Sequence, residues 1–284
     1  MKKVLVTGAT GFIGRHVIAS LQKRDCVVIA TASSAESKKG KDWLEHRTFI
    51  PHSIGSETKD ENLFEKFQKP DAVIHLAWQG LPNYKDLFHF EEVLPRQYFF
   101  LKKLVQNGVK DITVTGTCFE YGMQEGGLSE KAYPLPDNPY ALAKNTLRLF
   151  LEQLQKKTPF SLKWVRLFYM YGEGQNPRSL LAQLDAALQR GDDTFNMSGG
   201  EQVRDYLPVE KVAENIVAIA LQEKAEGILN CCSGNGITVN ELVKQHLEKD
   251  GRSIKLNRGF YPYPDYEPMA FWGDATKLKT ILAQ

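Results

Sequence analysis

Thr7-Gly8-Ala9-Thr10-Gly11-Phe12-Ile13-Gly14 is the stretch that decides the fold of this chain. It follows an apolar run, residues 3–7, that predicts a buried strand, and it opens a pattern that places Ile13, Val17 and Leu21 on one face of a helix. In such a unit the first glycine allows a tight turn, the second lets the backbone approach a pyrophosphate, and the third lets the helix pack against the strand. The helix N-terminus then offers free N–H groups to phosphates. The stretch therefore predicts a dinucleotide site, and the lack of a Gly-Lys-Ser/Thr ending excludes a Walker-type loop.

Strand and helix patterns alternate over the first 166 residues. Helices are predicted at residues 86–107, with a kink or restart at Pro95, and at residues 138–156. Strands that alternate with helices indicate a parallel sheet covered on both faces, which is the α/β doubly wound, Rossmann-type fold. Further strands are predicted at residues 26–31, 47–50, 72–76, 111–115 and 161–167.

The pattern changes after residue 166. Segments that contain glycine and proline separate shorter elements there, and one clear helix is predicted around Val212, Ile216 and Ile219. We therefore expect a dinucleotide-binding domain at residues 1–166 and a smaller, mainly substrate-binding region at residues 167–284 that is interwoven with the first.

The composition of the 284 residues excludes several classes of protein. With 42% hydrophobic and 25% charged residues, the chain is neither disordered nor fibrous. Its 36 Lys and Arg against 34 Asp and Glu give a net charge of +2, which disfavours nucleic-acid binding by bulk electrostatics. Four cysteines without a zinc-type spacing predict neither a disulfide scaffold nor a metal site. No apolar run approaches the roughly 20 residues of a membrane span, and no export signal is recognised, so we expect a cytoplasmic protein without a membrane partner.

Tyr140 and Lys144 lie four residues apart on a predicted helix, and therefore side by side on one face. A tyrosine with its usual pKa near 10 is a poor acid–base catalyst at neutral pH. A neighbouring ammonium group, together with the positive charge of an oxidised nicotinamide, is expected to stabilise the phenolate and lower that pKa. The alternative is a tyrosine at the edge of an amphipathic helix, since this spacing alone is common.

The GxxGxxG spacing of residues 8–14 resembles that of the short-chain dehydrogenase/reductase superfamily, and in particular its extended branch of nucleotide-sugar epimerases, dehydratases and reductases. Residues 115–122, Thr-Gly-Thr-Cys-Phe-Glu-Tyr-Gly, resemble the family's serine/threonine-rich strand end. Alignment on the Tyr-Gly pair puts Thr117 at the family's catalytic hydroxyl position. The resemblance implies a catalytic set of Thr117, Tyr140 and Lys144, in which Thr117 bonds the substrate oxygen that Tyr140 protonates.

The resemblance covers nearly the whole chain and implies where cofactor and substrate bind. Residues 75–77 resemble the strand end that lines the cofactor, and residues 166–172 resemble the segment beside the nicotinamide. Residues 199–206 resemble the segment whose arginine, here Arg204, grips the diphosphate of a sugar nucleotide, a role that suits a guanidinium fork. The expected substrate-binding residues are Thr117, Phe119, Arg178 and Arg204. The expected cofactor-binding residues are Gly8, Thr10, Gly11, Phe12, Ile13, Gly14, Arg15, Ser33, Ser34, Lys38, Leu76, Ala77, Trp78, Tyr140, Lys144 and Leu167.

The segment after the second strand bears on which dinucleotide binds. An NAD site usually has a carboxylate there for the ribose 2′-hydroxyl, whereas residues 31–34 read Thr-Ala-Ser-Ser and the first carboxylate is Glu36. Cations and hydroxyl donors suit a 2′-phosphate. The sequence therefore favours NADP(H) over NAD(H), with a merely solvated lysine loop as the alternative. The candidate groups are Arg15, Ser33, Ser34, Lys38, Lys39 and Lys41.

The family's scaffold supports dehydration, epimerisation with a catalytic cysteine, and oxidoreduction at a sugar carbon. The residues after Thr117 disfavour the first two. Sugar dehydratases that resemble this chain carry Asp-Glu where it has Cys118 and Phe119, and epimerase/reductases with a catalytic cysteine carry it at the position of Phe119. Oxidoreduction at a sugar carbon remains. Related 4-epimerases often have an asparagine near the position of Val93, and residues 116–122 look like those of reductases of 4-keto-6-deoxy sugar nucleotides.

We therefore expect NADPH-dependent reduction of the 4-keto group of a dTDP-, GDP- or CDP-linked 4-keto-6-deoxyhexose, with Tyr140 as proton donor. Two alternatives stay open, an NAD-dependent nucleotide-sugar 4-epimerase and a catalytically silent NADP-sensing regulator. The tail at residues 258–265, rich in Tyr and Pro, is expected to border the sugar pocket. The resemblance also implies a homodimer built on residues 86–107 and 138–156, with Tyr98, Phe99 and Phe100 as exposed aromatic residues.

Overall fold

The computed structural model describes residues 1–38, 41–44, 47–249 and 251–283. The strands are β1 (Lys2–Thr7), β2 (Cys26–Thr31), β3 (Thr48–Phe49), β4 (Ala72–His75), β5 (Asp111–Thr117), β6 (Gly126–Leu128), β7 (Ser161–Leu167), β8 (Tyr169–Tyr171), β9 (Thr194–Asn196), β10 (Val203–Pro208), β11 (Gly227–Cys231), β12 (Gly236–Thr238), β13 (Lys255–Asn257) and β14 (Phe271–Gly273). The α-helices are α1 (Phe12–Gln22), α2 (Leu63–Lys66), α3 (Leu94–Asn107), α4 (Pro139–Lys157), α5 (Leu180–Arg190), α6 (Val209–Leu221), α7 (Val239–Lys249) and α8 (Thr276–Leu282).

Seven parallel strands form the central sheet in the order β11-β7-β5-β4-β1-β2-β3. This order reverses beside β1, as in the doubly wound dinucleotide-binding fold, so a crevice opens at the carboxyl ends of β1 and β4. The α/β doubly wound fold expected from the sequence is confirmed.

Alternate residues along the strands explain why both faces of the sheet are covered. Val4 and Val6 of β1 pack with α1, α6 and α8 on one face, while Leu5 packs with α2, α3 and α4 on the other. Because successive side chains of a strand point to opposite faces, an uninterrupted apolar strand requires helices on both sides. Phe100 of α3 belongs to the second of these cores and is fully buried, so its expected place among the exposed aromatic residues was wrong.

Pro95 marks a change of helix type, as its sequence position predicts. Residues His89–Val93 form a π-helical turn, and α3 begins at Leu94 with Pro95 in its first turn. Proline is tolerated there because the first N–H groups of a helix have no intrahelical acceptor.

The last third of the chain contributes to both the central sheet and a smaller subdomain. β11 was not predicted, yet it pairs with β7 at the edge of the central sheet, and β14 pairs with β6. Helices α5 and α7, also missed from the sequence, pack around Phe195 and Met197 to form a separate apolar core. The division of the chain into a dinucleotide-binding domain, residues 1–166, and an interwoven substrate-binding region, residues 167–284, stays a proposal. In the described part of the chain, no helix has the length and apolar character that crossing a membrane requires.

Candidate active site

A cleft lies at the carboxyl ends of β1, β2 and β4, where the doubly wound fold binds its ligands. It runs from the end of β2 across the glycine turn to the segment that follows β4. The residues that line it are Thr7, Gly8, Thr10, Gly11, Thr31, Ala32, Ser33, His52, Ile54, Leu76, Ala77, Trp78, Gln79, Val93, Arg96 and Gln97.

Two glycines of the turn after β1, Gly8 and Gly14, have no room for a side chain. Gly8 adopts a φ of +69°, and a Cβ there would lie 2.9 Å from the backbone nitrogen of Ala77. A Cβ on Gly14 would lie 2.3 Å from the carbonyl oxygen of Gly8. Helix α1 begins after Gly11 without a side-chain cap and without an acidic residue in its first turn. The turn therefore fits a dinucleotide, since its free N–H groups can receive a pyrophosphate.

The other expected cofactor-binding residues fall into two groups. Ser33 and residues 76–78 line the cleft together with the glycine turn. A second group lies outside the lining, namely Phe12, Ile13, Gly14, Arg15, Ser34, Tyr140, Lys144 and Leu167. The side chain of Lys38 and the whole of Lys39 lie outside the described residues.

Arg15 is paired with an acidic residue that lies 158 positions further along the chain. Its Nη2 lies 2.8 Å from Oε1 of Glu173, and its guanidinium lies over the ring of Trp43 at 5.0 Å. A carboxylate beside Arg15 offsets the positive charge that a 2′-phosphate needs. Arg15 therefore gives little support to an NADP site.

Thr117, Tyr140 and Lys144 come together beside the cleft. Thr117 ends β5, and Tyr140 and Lys144 lie in α4, whose N-cap Asn138 accepts a hydrogen bond from the N–H of Ala141. The Lys144 ammonium donates to the carbonyl oxygen of Thr115 at 2.8 Å and lies 4.1 Å from the ring centroid of Trp78. The side chain of Thr117 is close enough to the Tyr140 phenol to lower its pKa. The geometry thus joins the catalytic set to the cleft through Trp78.

Burial controls the protonation of this set. It raises the pKa of Tyr140 above its ordinary value, with further increases from Tyr84 and Glu120, while the hydrogen bond from Thr117 acts in the opposite direction. Burial also lowers the pKa of Lys144 to about 7. In the protein by itself, removing both groups from water disfavours both charged forms. The lowering of the phenol's pKa by Lys144 together with an oxidised nicotinamide stays a prediction.

An aromatic cluster adjoins Tyr140 on the side away from the glycine turn. Tyr84 lies 5.5 Å from Tyr140 and 5.1 Å from Phe119, measured between ring centroids. Tyr266 and Tyr169 extend the cluster, at 6.2 and 6.3 Å from Phe119. The sequence indicated Phe119 but missed Tyr84 and Tyr266, which lie in loops without periodicity. Tyr266 directly follows the tail, residues 258–265, that was expected to border the sugar pocket.

The two expected phosphate-binding arginines have different environments. Arg204 is buried, and its Nη2 lies 2.9 Å from Oε2 of Glu267. Its guanidinium also stacks on the rings of Tyr169 and Phe271. Arg178, in contrast, is exposed in the loop before α5. The structure does not bring the two arginines into one cluster, and a phosphate-binding role for either remains a prediction.

Comparison with known proteins shows similarity along almost the whole chain. The chain is 29% identical to a dTDP-6-deoxy-L-talose 4-dehydrogenase (NAD(+)) of Aggregatibacter actinomycetemcomitans, over 95% of this chain and 98% of that protein. It is 26% identical to a UDP-glucose 4-epimerase of Thermotoga maritima solved with UDP-glucose, covering 98% of this chain and 91% of that one with a TM-score of 0.80. It is also 26% identical to MoeE5 solved with UDP-glucuronic acid and NAD, covering 99% and 92% of the two chains with a TM-score of 0.78.

The preference for NADP(H) expected from the sequence was wrong. The talose dehydrogenase is named for NAD(+), and MoeE5 was solved with NAD. The sequence argument relied on a missing carboxylate at the end of β2 and on nearby cations, of which Arg15 is paired with Glu173. A family model described as "NAD dependent epimerase/dehydratase family" matches residues 4–232, most of the chain. With its glycine turn, its Rossmann-type sheet and this match, the chain belongs to the NAD-dependent epimerase/dehydratase family.

Proposed function

We propose that this chain is an NAD-dependent enzyme that oxidises C4 of a nucleotide-linked hexose. The observation that carries the proposal is the placement of Thr117, Tyr140 and Lys144 beside the dinucleotide cleft. The named chemistry of the dehydrogenase and epimerase relatives at C4 supports it. These relatives favour a 4-dehydrogenase or 4-epimerase over the 4-keto reductase expected from the sequence.

The residues of the cleft have separate tasks in this reaction. NAD, when bound, supplies the hydride acceptor for C4. The glycine turn would hold its pyrophosphate, and Ser33 and His52 lie at the end of the cleft where its adenosine would bind. Trp78 lies between this cleft and Tyr140, at 5.9 Å from the Tyr140 ring centroid.

Tyr140 exchanges the proton of the C4 oxygen. In oxidation it accepts the proton of the C4 hydroxyl, and in reduction it returns a proton to the C4 carbonyl oxygen. Thr117 donates a hydrogen bond to the same oxygen, which orients it toward the phenol. Because burial keeps the pKa of Tyr140 high, the phenol carries its proton at neutral pH, and we expect oxidation to become faster as the pH rises.

The dehydrogenase and the epimerase differ only in the fate of the 4-keto sugar. A dehydrogenase releases it, whereas an epimerase turns it and reduces the other face. The dehydrogenase is favoured by the similarity that covers 98% of the talose dehydrogenase. The epimerase is favoured by the solved structure with UDP-glucose.

A panel of dTDP-, GDP- and UDP-linked hexoses and 6-deoxyhexoses tests the proposal. Each sugar is incubated with the enzyme and NAD, NADH is followed by its near-ultraviolet absorbance, and the sugars are analysed by NMR. NADH formed in step with a 4-keto sugar identifies a dehydrogenase, and interconversion of two sugars without net NADH identifies an epimerase. If no sugar changes with NAD while the chain binds it, the proposal is wrong and a dinucleotide-sensing role gains support.

We also propose that the chain forms a homodimer through α3 and α4. Their outer faces expose Phe99, Leu142, Leu149 and Phe150, and the rings of Tyr98 and Phe150 lie 5.2 Å apart across the two helices. A contiguous apolar face of this kind is typical of a protein interface. Phe150→Glu should yield a monomer in light scattering, whereas Phe260→Glu, at another exposed position outside these two helices, should leave the dimer intact. A monomeric parent protein would contradict the proposal.

A further inference from the structure

The carboxylate of Glu120 is fully buried below the catalytic threonine. Its Oε1 accepts hydrogen bonds from the backbone N–H of Thr117 at 2.9 Å and from Nε1 of Trp164 at 2.9 Å. Its Oε2 accepts from Nε of Arg166 at 2.8 Å, in an ion pair in which neither side chain is exposed. One carboxylate thus receives donors from the end of β5 and from two residues of β7.

These contacts restrain Thr117 itself. Thr117 is the N-cap of a one-turn 3₁₀-helix, Cys118–Tyr121, and its Oγ1 accepts the N–H of Phe119 at 3.3 Å. The bond from the Thr117 N–H to Glu120 completes a reciprocal capping box. The bond from Phe119 occupies one lone pair of the Thr117 oxygen, so the hydroxyl keeps its hydrogen and one lone pair. Through the Thr117 N–H, Glu120 helps to fix the position from which this hydroxyl can donate toward the substrate oxygen.

The space around the carboxylate is filled. A Cβ on Gly116 would lie 2.3 Å from Nε1 of Trp164 and 2.4 Å from Oε1 of Glu120. The Arg166 guanidinium stacks on the ring of Tyr121 at 4.4 Å. In such a closely packed setting a change at Glu120 must move its partners.

Glu120 also acts on the acid–base pair through its charge. Its negative charge raises the pKa of Tyr140 and opposes the lowering of the pKa of Lys144 by burial. These effects on two groups of α4 come from one side chain below β5. The titratable or charged groups near Tyr140 are Tyr84, His89, Cys118, Glu120 and Lys144.

We propose that Glu120, held by Arg166 and Trp164, is a positioning residue for the C4 chemistry, which it supports by fixing the donor geometry of Thr117. The inference rests on the proposed function. A purely structural brace is the competing explanation, since an Arg–Glu pair that joins two strands could serve stability alone.

The chain offers a matched control for that explanation. Lys163 and Asp111 form a second ion pair between β7 and β5, at 2.8 Å, with the Lys163 side chain fully buried. Asp111 begins β5, whereas Thr117 ends it. Asp111→Asn therefore breaks an ion pair between the same two strands at the opposite end from the site.

Glu120→Gln is the test variant. The carboxylate of Glu120 accepts hydrogen bonds from Thr117, Trp164 and Arg166, whereas the amide of glutamine has only one acceptor oxygen. We expect Glu120→Gln and Asp111→Asn to lower the melting temperature comparably and to leave NAD affinity unchanged. Only Glu120→Gln should lower kcat, by on the order of 10- to 100-fold as for a displaced catalytic group, and move the acid limb of the oxidation profile to lower pH. Equal kcat and pH profiles in the two variants would overturn the proposal. If Glu120→Gln does not fold, Trp164→Phe removes one donor and should lower kcat to a smaller extent, while the acid limb should not move to lower pH because the charge of Glu120 is kept.

Amide hydrogen exchange gives a readout that needs no sugar. In the NAD-bound protein, exchange in the peptide that spans residues 115–122 should become faster in Glu120→Gln, or in Trp164→Phe, and stay unchanged in Asp111→Asn. If the panel of sugars fails in the parent protein, the proposed function is wrong, and unchanged exchange would separately overturn the role of Glu120.

Discussion

The two halves of the cleft are built in different ways. In the coenzyme half, the glycine turn of residues 8–14 lies at the centre, and its key property is that Gly8 and Gly14 leave no space for a Cβ. In the substrate half, side chains form the surface, and Tyr84, Phe119 and Tyr266 arrive from three distant segments. The first half can be recognised in one short motif, whereas the second exists only after the chain has folded. The difference implies that the halves should respond differently to substitution.

Tyr140→Phe should have the largest effect on turnover, and it should leave the coenzyme half unaffected. Loss of the proton-exchanging hydroxyl should lower kcat by about 10²–10⁴-fold, while NAD affinity stays near that of the parent. Steady-state kinetics and NAD titration check both values. Tyr84→Phe is the control, because Tyr84 adjoins Tyr140 but has no assigned proton to exchange. Near-normal turnover in Tyr140→Phe would remove Tyr140 from the reaction.

Gly8→Ala should damage the coenzyme half. Gly8 has a φ of +69° and would place its Cβ 2.9 Å from the Ala77 nitrogen, whereas Gly191 has a φ of +76° with nothing within 4 Å. Both alanine variants pay roughly 1–2 kcal/mol for the left-handed conformation, but only Gly8→Ala should also weaken NAD binding. Thermal unfolding and NAD titration separate the two effects. Equal losses of stability with unchanged NAD affinity would contradict the assigned role of the turn.

Substitution of the two arginines that are predicted to bind the substrate should change stability at Arg204 and substrate binding at Arg178. Arg204→Met leaves Glu267 buried without its partner, so the free energy of unfolding should fall by about 3–5 kcal/mol. Arg178→Ala, at an exposed position, should change it by less than about 0.5 kcal/mol while raising KM for the nucleotide sugar. Denaturant unfolding and steady-state kinetics measure these outcomes. An unchanged KM in Arg178→Ala would remove Arg178 from the substrate site.

Lys144→Met should give a change in stability that depends clearly on pH. The folded protein holds the pKa of Lys144 at about 7, against an ordinary 10.5. Below pH 7 both states carry the proton and the folded state bears the full cost of burial, and from pH 7 to 10.5 that cost declines as the folded form loses the proton. The methionine variant should therefore be more stable, by roughly 1–4 kcal/mol at pH 6, with the gain vanishing near pH 10. Melting curves across this range check it, and a pH-independent difference would contradict the shifted pKa.

Sequence periodicity was sufficient for the sheet and insufficient for the last third of the chain. The predicted ranges 26–31 and 161–167 coincide with β2 and β7. The apolar run of β2 is typical of a strand buried on both faces, and β7 was recognised although it also carries Lys163 and Arg166. Helices α5 and α7 were missed, since each buries only a narrow stripe in a small core. The predicted preference for NADP(H) was wrong because it considered residues near the end of β2 without their contacts in the folded protein. The residues near the end of β2 suggested a 2′-phosphate, but Arg15 is engaged by Glu173, which lies 158 residues away.

By itself, the sequence determined the glycine turn, the doubly wound sheet and the order of Thr117, Tyr140 and Lys144, because each depends on residues that are close together along the chain. Only the tertiary structure decided the surroundings of those side chains. It placed Glu120 below Thr117, buried Lys144 against Trp78 and paired Arg204 with Glu267. Burial and charge pairing set the protonation and orientation of the catalytic groups, and both depend on contacts between residues that are far apart in sequence.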